Sequence, residues 1–209
     1  MARPINADAM ETQKRILDAA SFNFAQYGYG GASMRTIARQ ASVSQGSIHH
    51  YFSTKSALYQ ACIDDIYRQI GMMESQFLGV FSQAKPEKRL IFQLILQSYQ
   101  FARSRRDTVK MIYRSVIHQG ENQYPQRSVV LQRILEQLIK WLEPYSCKER
   151  LEVKFALYGF IFLLNRIVLV EREELISILE ITDPDVSDDE VEQQVGEYLG
   201  RSFLGLVGL

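Results

Sequence analysis

An all-α fold is predicted by three observations on the chain. Nearly every segment repeats its apolar residues with the helical period, no alternating stretch of useful length occurs, and Ser, Asp, Gly and Pro recur where helix caps and stops are needed. At 209 residues, 46% hydrophobic and 23% charged, the chain can bury a sizeable core and has room for two domains. Lysine plus arginine equals aspartate plus glutamate at 24 each, so the distribution of charge is informative and the net charge is not.

The elements follow in order. Asp8 with Glu11 forms a capping-box signature; Ile16, Ala20, Phe24 and Tyr27 then share one face, and Gly28 is placed to end the first helix. Ser33 can cap a short second helix to about Ala41, Ser44 a third to about Phe52, and Ser53 a long fourth whose stripe runs from Leu58 to Phe77. Pro86 suits the first turn of a fifth helix marked by Leu90, Leu94, Ile95 and Phe101. Asp107 can cap a sixth helix through His118, and a seventh spans about Arg127 to Glu143 before Pro144 stops it. The segment from about Lys148 to beyond Val170 is apolar over most of its circumference, which a lone surface helix does not tolerate in water. Ser187 with Glu190 opens the last helix, with Val191, Val195, Tyr198, Leu199 and Phe203 along it.

The second and third helices, "SMRTIARQA" and "QGSIHHYF" joined by "SVS", have the dimensions of a helix-turn-helix whose second helix can enter a major groove. Ile37, Ala38, Val43 and Ile48 form the apolar wedge between them. Residues 1–60 hold six bases and three acids, with no acid between Asp18 and Asp64, whereas eleven acids and two bases lie from Glu171 onward. A surface free of carboxylates avoids repulsion from phosphates, and this points to nucleic acid as the partner of the front of the chain. Gln45, Ser47 and His49 face outward on the third helix, where glutamine can pair bidentately with adenine, and Gly46 permits close backbone approach.

The stretch "RILDAASFNFAQYGYGGASMRTIARQASVSQGSIHHYFSTKSAL" resembles the DNA-binding region of the tetracycline-repressor (TetR) family of bacterial transcriptional regulators. It follows that family's order of first helix, Gly-rich bend, "T-x-x-x-I-A" helix, "A-G-V-S" turn, "x-G-x-x-Y-x-x-F" recognition helix and "x-K-x-x-L" fourth helix. Ser42 stands where the family often has glycine, and a left-handed backbone there would cost about 1 kcal/mol. His49 stands where the family usually has a phosphate-binding tyrosine. The resemblance implies phosphate contacts at Ser33 and Lys55, further contacts at Arg35, Thr36, Ser44 and His50, and an aromatic packing role for Tyr51.

The same resemblance implies an N-terminal three-helix helix-turn-helix domain over 1–56 and a larger helical ligand-binding and dimerisation domain over 57–209, the fourth helix from about residue 54 connecting them. It implies a homodimer formed by the last two long helices, a palindromic double-stranded operator, and release by a small-molecule inducer. An inducer cavity is expected to be bordered by Phe92, Leu96, Tyr99, Met111, Tyr113, Tyr158, Phe162 and Asn165. Repression is expected because binding near a promoter blocks polymerase without a separate activating surface.

The rivals are an enzyme on a helical bundle and a non-specific DNA-coating protein. No Glu-x-x-His pair, Gly-rich phosphate loop or nucleophile elbow is present, so no catalytic residue and no cofactor is expected. His49 and His50 point about 100° apart on a helix and have no third ligand nearby, so no metal is expected either. The N-terminus lacks the apolar core of a signal peptide and the longest apolar run, "FALYGFIFLL", is too short to cross a bilayer, which with two widely spaced cysteines reads as a cytoplasmic protein.

Overall fold

The computed structural model describes residues 5–117 and 129–209, and every described element is helical. The described chain falls into two compact units. One takes residues up to Gln69 and those from Asp107 to Ile117; the other takes Ile70–Arg106 and the residues from Val129 on. The boundary expected at residue 56 therefore differs in two ways: the first unit keeps the opening turns of the fourth helix and also gains most of the sixth.

In the first unit, α1 (Ile5–Gly31) begins before Asp8, so Asp8 lies inside the helix, its carbonyl accepting the Thr12 hydroxyl at 2.8 Å, and is not its cap. Gly28 breaks α1 at φ 70°, a left-handed value that glycine adopts without a Cβ clash. α2 (Met34–Gln40) and α3 (Gln45–Tyr51) follow, and α4 (Lys55–Gln83) starts after them. Its cap is Thr54 and not Ser53: the Thr54 hydroxyl accepts the Ala57 N–H at 3.0 Å. Ile16, Ala20, Phe24, Ile37, Ile48 and Leu58 are fully or almost fully buried together, so α1, α2, α3 and α4 share one core. The Phe24, Tyr29 and Tyr59 rings close it, with Phe24 and Tyr59 edge-on at 4.9 Å. Met111, on α6 (Arg106–Ile117), packs into this same core at 1% exposure.

The second unit is built on α5 (Lys88–Ser104), α7 (Val129–Leu142), α8 (Arg150–Val168), α9 (Arg172–Ile178) and α10 (Asp188–Val207). Pro86 precedes α5 by two residues, and Pro144 sits in a 3-10 turn, Glu143–Tyr145, that ends α7. The capping box read at Ser187 is formed: its hydroxyl accepts the Glu190 N–H at 3.2 Å and the Glu190 carboxylate accepts the Ser187 N–H at 3.0 Å. Those bonds hold the Glu190 carboxyl below its usual range.

α5 packs on α10 where Gly196 and Gly200 stand; a Cβ at either would lie 2.7 Å from Leu96 Cδ1 or 2.9 Å from the Phe92 ring, so only glycine lets the helices meet this closely. The apolar segment expected to run on beyond Val170 instead stops at Val168, and α9 follows as a separate helix. Arg103 donates to the Val168 and Val170 carbonyls, both at 2.7 Å, and Arg106 donates to the Leu169 carbonyl and to Glu171. Two guanidinium groups thus satisfy the carbonyls that the end of α8 leaves open. Among the described residues, no single helix is long and apolar enough to cross a membrane.

Candidate nucleic-acid interface

Each helix of the motif starts at a serine cap. Ser33 Oγ accepts the Thr36 N–H at 3.1 Å, and Ser44 Oγ accepts the Ser47 N–H at 2.9 Å, while each also bonds the hydroxyl three residues on. The turn between α2 and α3 passes through Ser42 at φ 55°, the left-handed backbone anticipated at that position. It turns back sharply: the Val43 N–H donates to the Ala38 carbonyl at 3.0 Å and the Ala41 N–H to Ile37 at 2.9 Å. Ile48 lies on the inner face of α3 with no exposed surface, which leaves Gln45, Gly46, His49 and His50 exposed on the same helix and Ser47 half-buried. Arg35 is exposed on α2 and Thr36 is half-buried, its hydroxyl on Ser33. Tyr51 is half-buried against His50 and Phe52.

Lys55 differs from the role expected of it. Its ammonium donates to the Tyr29 carbonyl at 2.7 Å and the Ala32 carbonyl at 3.1 Å, and lies 4.5 Å from the centre of the Tyr29 ring. Two of its three donors are therefore given to the backbone between α1 and α2. At the other end of α2, Arg15 donates to the Ala41 carbonyl at 3.2 Å. Between them, the buried Asn23 amide donates to Ala19 O and to Gln40 Oε1 at 2.8 and 2.7 Å. Arg114, from α6, donates to the Ala25 and Gln26 carbonyls where α1 breaks. Apart from the Asn23–Ala19 bond within α1, these ties have no signature in local sequence, since each joins residues at least seventeen apart. Arg39, counted in the sequence only as one of the basic residues, is exposed in the last turn of α2 and belongs with the candidate contacts.

The residues expected to border one inducer cavity are divided between the two units. Met111 is a core residue of the first unit and Tyr113 stands half-buried on the same helix. In the second unit, Tyr99 is fully buried, its hydroxyl without a hydrogen-bond partner among the described residues, and burial pushes its pKa up. Tyr158 and Asn165 are half-buried on α8, whereas Phe162 is 48% exposed. Phe92 and Leu96 alone of this set line a described groove, an open one of about 510 Å³ between α5 and α10 shared with Lys88, Arg89, Gly196 and Glu197.

Comparison with known proteins decides what this motif belongs to. The family model for bacterial regulatory proteins of the tetR family matches residues 16–62, from the core of α1 into α4. The transcriptional regulator AcrR of Shigella flexneri is 30% identical over 146 residues, covering 67% of this chain and 68% of that protein. The chain belongs to the TetR family. The regulator UidR of Escherichia coli is 39% identical over 59 residues, but that match spans only 30% of it. In overall fold, a TetR-family regulator from Bordetella parapertussis superposes with a TM-score of 0.64 at 16% identity over 92% of this chain and 93% of its own. A TetR-like regulator from Rhodococcus sp. RHA1 gives 0.60 at 19% identity over the whole of both chains. As a TetR-family member the chain is a DNA-binding transcriptional regulator, and α2–α3 is its helix-turn-helix.

Proposed function

We propose that the protein represses transcription by binding a palindromic operator as a homodimer and is released by a small-molecule inducer. The observation that carries the reading is the arrangement of α3: Ile48 anchors it with no exposed surface, while Gln45, Gly46, His49 and His50 stand exposed on a stretch that has no acid from Asp18 to Asp64. Gln45 and Ser47 read base edges; Ser33, Arg35, Thr36, Ser44 and Tyr51 fix the register on the backbone through side chains and helix-end N–H groups. Lys55 acts chiefly by holding the start of α2 where these contacts need it.

The second unit supplies the dimer and the inducer response. Leu151, Phe155 and Phe162 on α8 are 63%, 71% and 48% exposed, and Tyr198 and Leu206 on α10 are 53% and 38% exposed, a surplus of apolar surface that a symmetric partner would cover. Two recognition helices related by a two-fold axis then meet major grooves about 34 Å apart, so half-sites lie about one turn apart. An inducer needs a differential affinity of only a few kcal/mol between conformers to shift the equilibrium.

Selection of bound fragments from the source genome with purified protein tests this. Recovery of one imperfect palindrome that outcompetes random duplex at physiological salt supports it; fragments with no common site would favour a non-specific DNA-coating protein.

A further inference from the structure

Three of the eight permanent cations described in the first unit are spent on its own backbone. Arg15 is on the Ala41 carbonyl and the Thr12 hydroxyl, Lys55 on the Tyr29 and Ala32 carbonyls, and Arg114 on the Ala25 and Gln26 carbonyls. The permanent charges left on the helix-turn-helix itself are Arg35 and Arg39 of α2, both exposed. The other groups there that can become cationic are His49 and His50 of α3, both exposed as well.

Three carboxylates of the neighbouring elements are engaged away from these imidazoles. Asp18 of α1 and Asp65 of α4 act on the Cys62 thiol, and Asp64 accepts the Gln60 amide at 2.8 Å. The charged groups on the helices that share this core are Arg35 and Arg39 of α2, Asp8, Glu11, Lys14, Arg15 and Asp18 of α1, and Lys55, Asp64, Asp65 and Arg68 of α4, and the ring beside His50 is Tyr51, its centroid 5.7 Å away.

We propose that His49 and His50, as imidazolium ions, supply a titratable share of the phosphate-binding charge of this interface, so that duplex affinity is coupled to proton uptake. The proposal rests on the reading of α2–α3 as the DNA-binding surface. Histidine is the side chain whose charge changes within the physiological pH range. A polyanion alongside favours the charged form, which raises the titration point in the complex above that of the free protein. A group raised in this way adds affinity that is fully present below the free value and is lost as pH rises through the value in the complex. A shift of one unit is worth tenfold in affinity. Adjacent helical residues point about 100° apart, so the two rings address different phosphates and each makes a separable contribution. The neutral ring still donates one N–H, so binding weakens at high pH without vanishing.

The experiment uses the full chain and a fluorescent random-sequence duplex of about 30 base pairs at low salt, where the phosphate term dominates. Anisotropy titrations from about pH 5.5 to about pH 8.5 should show affinity rising about 3- to 10-fold on acidification. The dependence of log affinity on log salt should steepen by up to about 0.9 per histidine over the same interval. The doubly substituted protein, His49→Gln with His50→Gln, should show a flat pH profile. If circular dichroism shows that protein to be unfolded, the single variants serve, each removing part of the slope. A flat wild-type profile overturns the proposal, as does a slope that survives both substitutions. Absence of binding at every pH is a different result: it removes the DNA-binding reading of α2–α3 and the proposal with it.

Discussion

The Lys55 ammonium sits 2.7 Å from the Tyr29 carbonyl oxygen and 4.5 Å from the centre of that same residue's ring, so one cation caps the end of α1 by hydrogen bond and by cation–π contact together. Hydrogen bonds to a charged group contribute about 1.5–3 kcal/mol, less where water competes, and Lys55 is half-buried. Lys55→Met should therefore lower the stability of the protein by about 1–3 kcal/mol in urea denaturation. Because two of its donors are committed, the salt dependence of duplex binding should fall by less than the ~0.9 of a full phosphate contact. A variant as stable as the wild type, with the full drop in salt slope, would return Lys55 to the phosphate backbone.

Ser42 holds φ 55° in the turn of the motif, a conformation that costs a residue with a Cβ about 1–2 kcal/mol. Glycine removes that strain but gains freedom in the unfolded chain, so Ser42→Gly should stabilise the protein by a net of about 0.5–1 kcal/mol. The thermal midpoint reads the sign; a lowered midpoint would mean that the serine side chain offsets its own strain.

Local and long-range signals separate cleanly in this chain. Ser33, Ser44 and Ser187 are legible because a cap is decided by the residue and its near neighbours, and all three stand at the starts expected of them, whereas Gly28 breaks α1 at the expected position and helical turns continue to Gly31. Ser53 is by residue type a slightly better cap than its neighbour Thr54, and the path of the chain nevertheless selects Thr54. The separation of α8 from α9 depends on Arg103 and Arg106, more than sixty residues upstream, and no pattern within the apolar run announces it. Met111 shows the same limit: it is expected at the inducer cavity, but which core it enters is a property of the tertiary fold.

Burial pushes the Cys62 thiol up to about 12, whereas Cys147 is exposed. In the unfolded chain a cysteine ionises near 8.5, so between that value and about 12 the unfolded state releases a proton that the folded state retains. Stability from this group is fully present below pH 8.5 and falls by about 1.4 kcal/mol per unit above it. A thiol reagent at mildly alkaline pH should label one cysteine of the native protein at once and the second only on unfolding; Cys147→Ser should abolish the fast phase. Rapid labelling of both would show that Cys62 is reached without unfolding.

Phe155 is 71% exposed and continues the stripe that begins at Leu151, one helical turn earlier, and leads past Gly159 to Phe162 on α8. Exposed aromatic side chains on that scale are costly in water and are the anchors expected at the centre of a homodimer. Phe155→Glu should place two like charges against a symmetry axis and shift the protein to monomer in sedimentation, with operator affinity falling because the second half-site is lost. The helix-turn-helix itself should stay folded, since Phe155 lies in the other unit. A variant that remains dimeric would move the interface away from this face of α8.

Gln45 opens α3 and is exposed directly after the Ser44 cap, at the helix end proposed to lead into the groove. An amide that pairs with adenine N6 and N7 discriminates by about 1–3 kcal/mol at one base pair, whereas a phosphate contact weakens every duplex alike. Gln45→Ala should therefore flatten the preference at one position of each half-site and leave affinity for random duplex almost unchanged. Arg39→Ala, by contrast, should lower affinity for operator and random duplex in equal proportion and reduce the salt dependence by about 1. The pair of variants, measured on an operator series with every base at each half-site position, separates reading from holding. If both weaken all duplexes equally, α3 grips the backbone and the base preferences must come from the shape of the DNA.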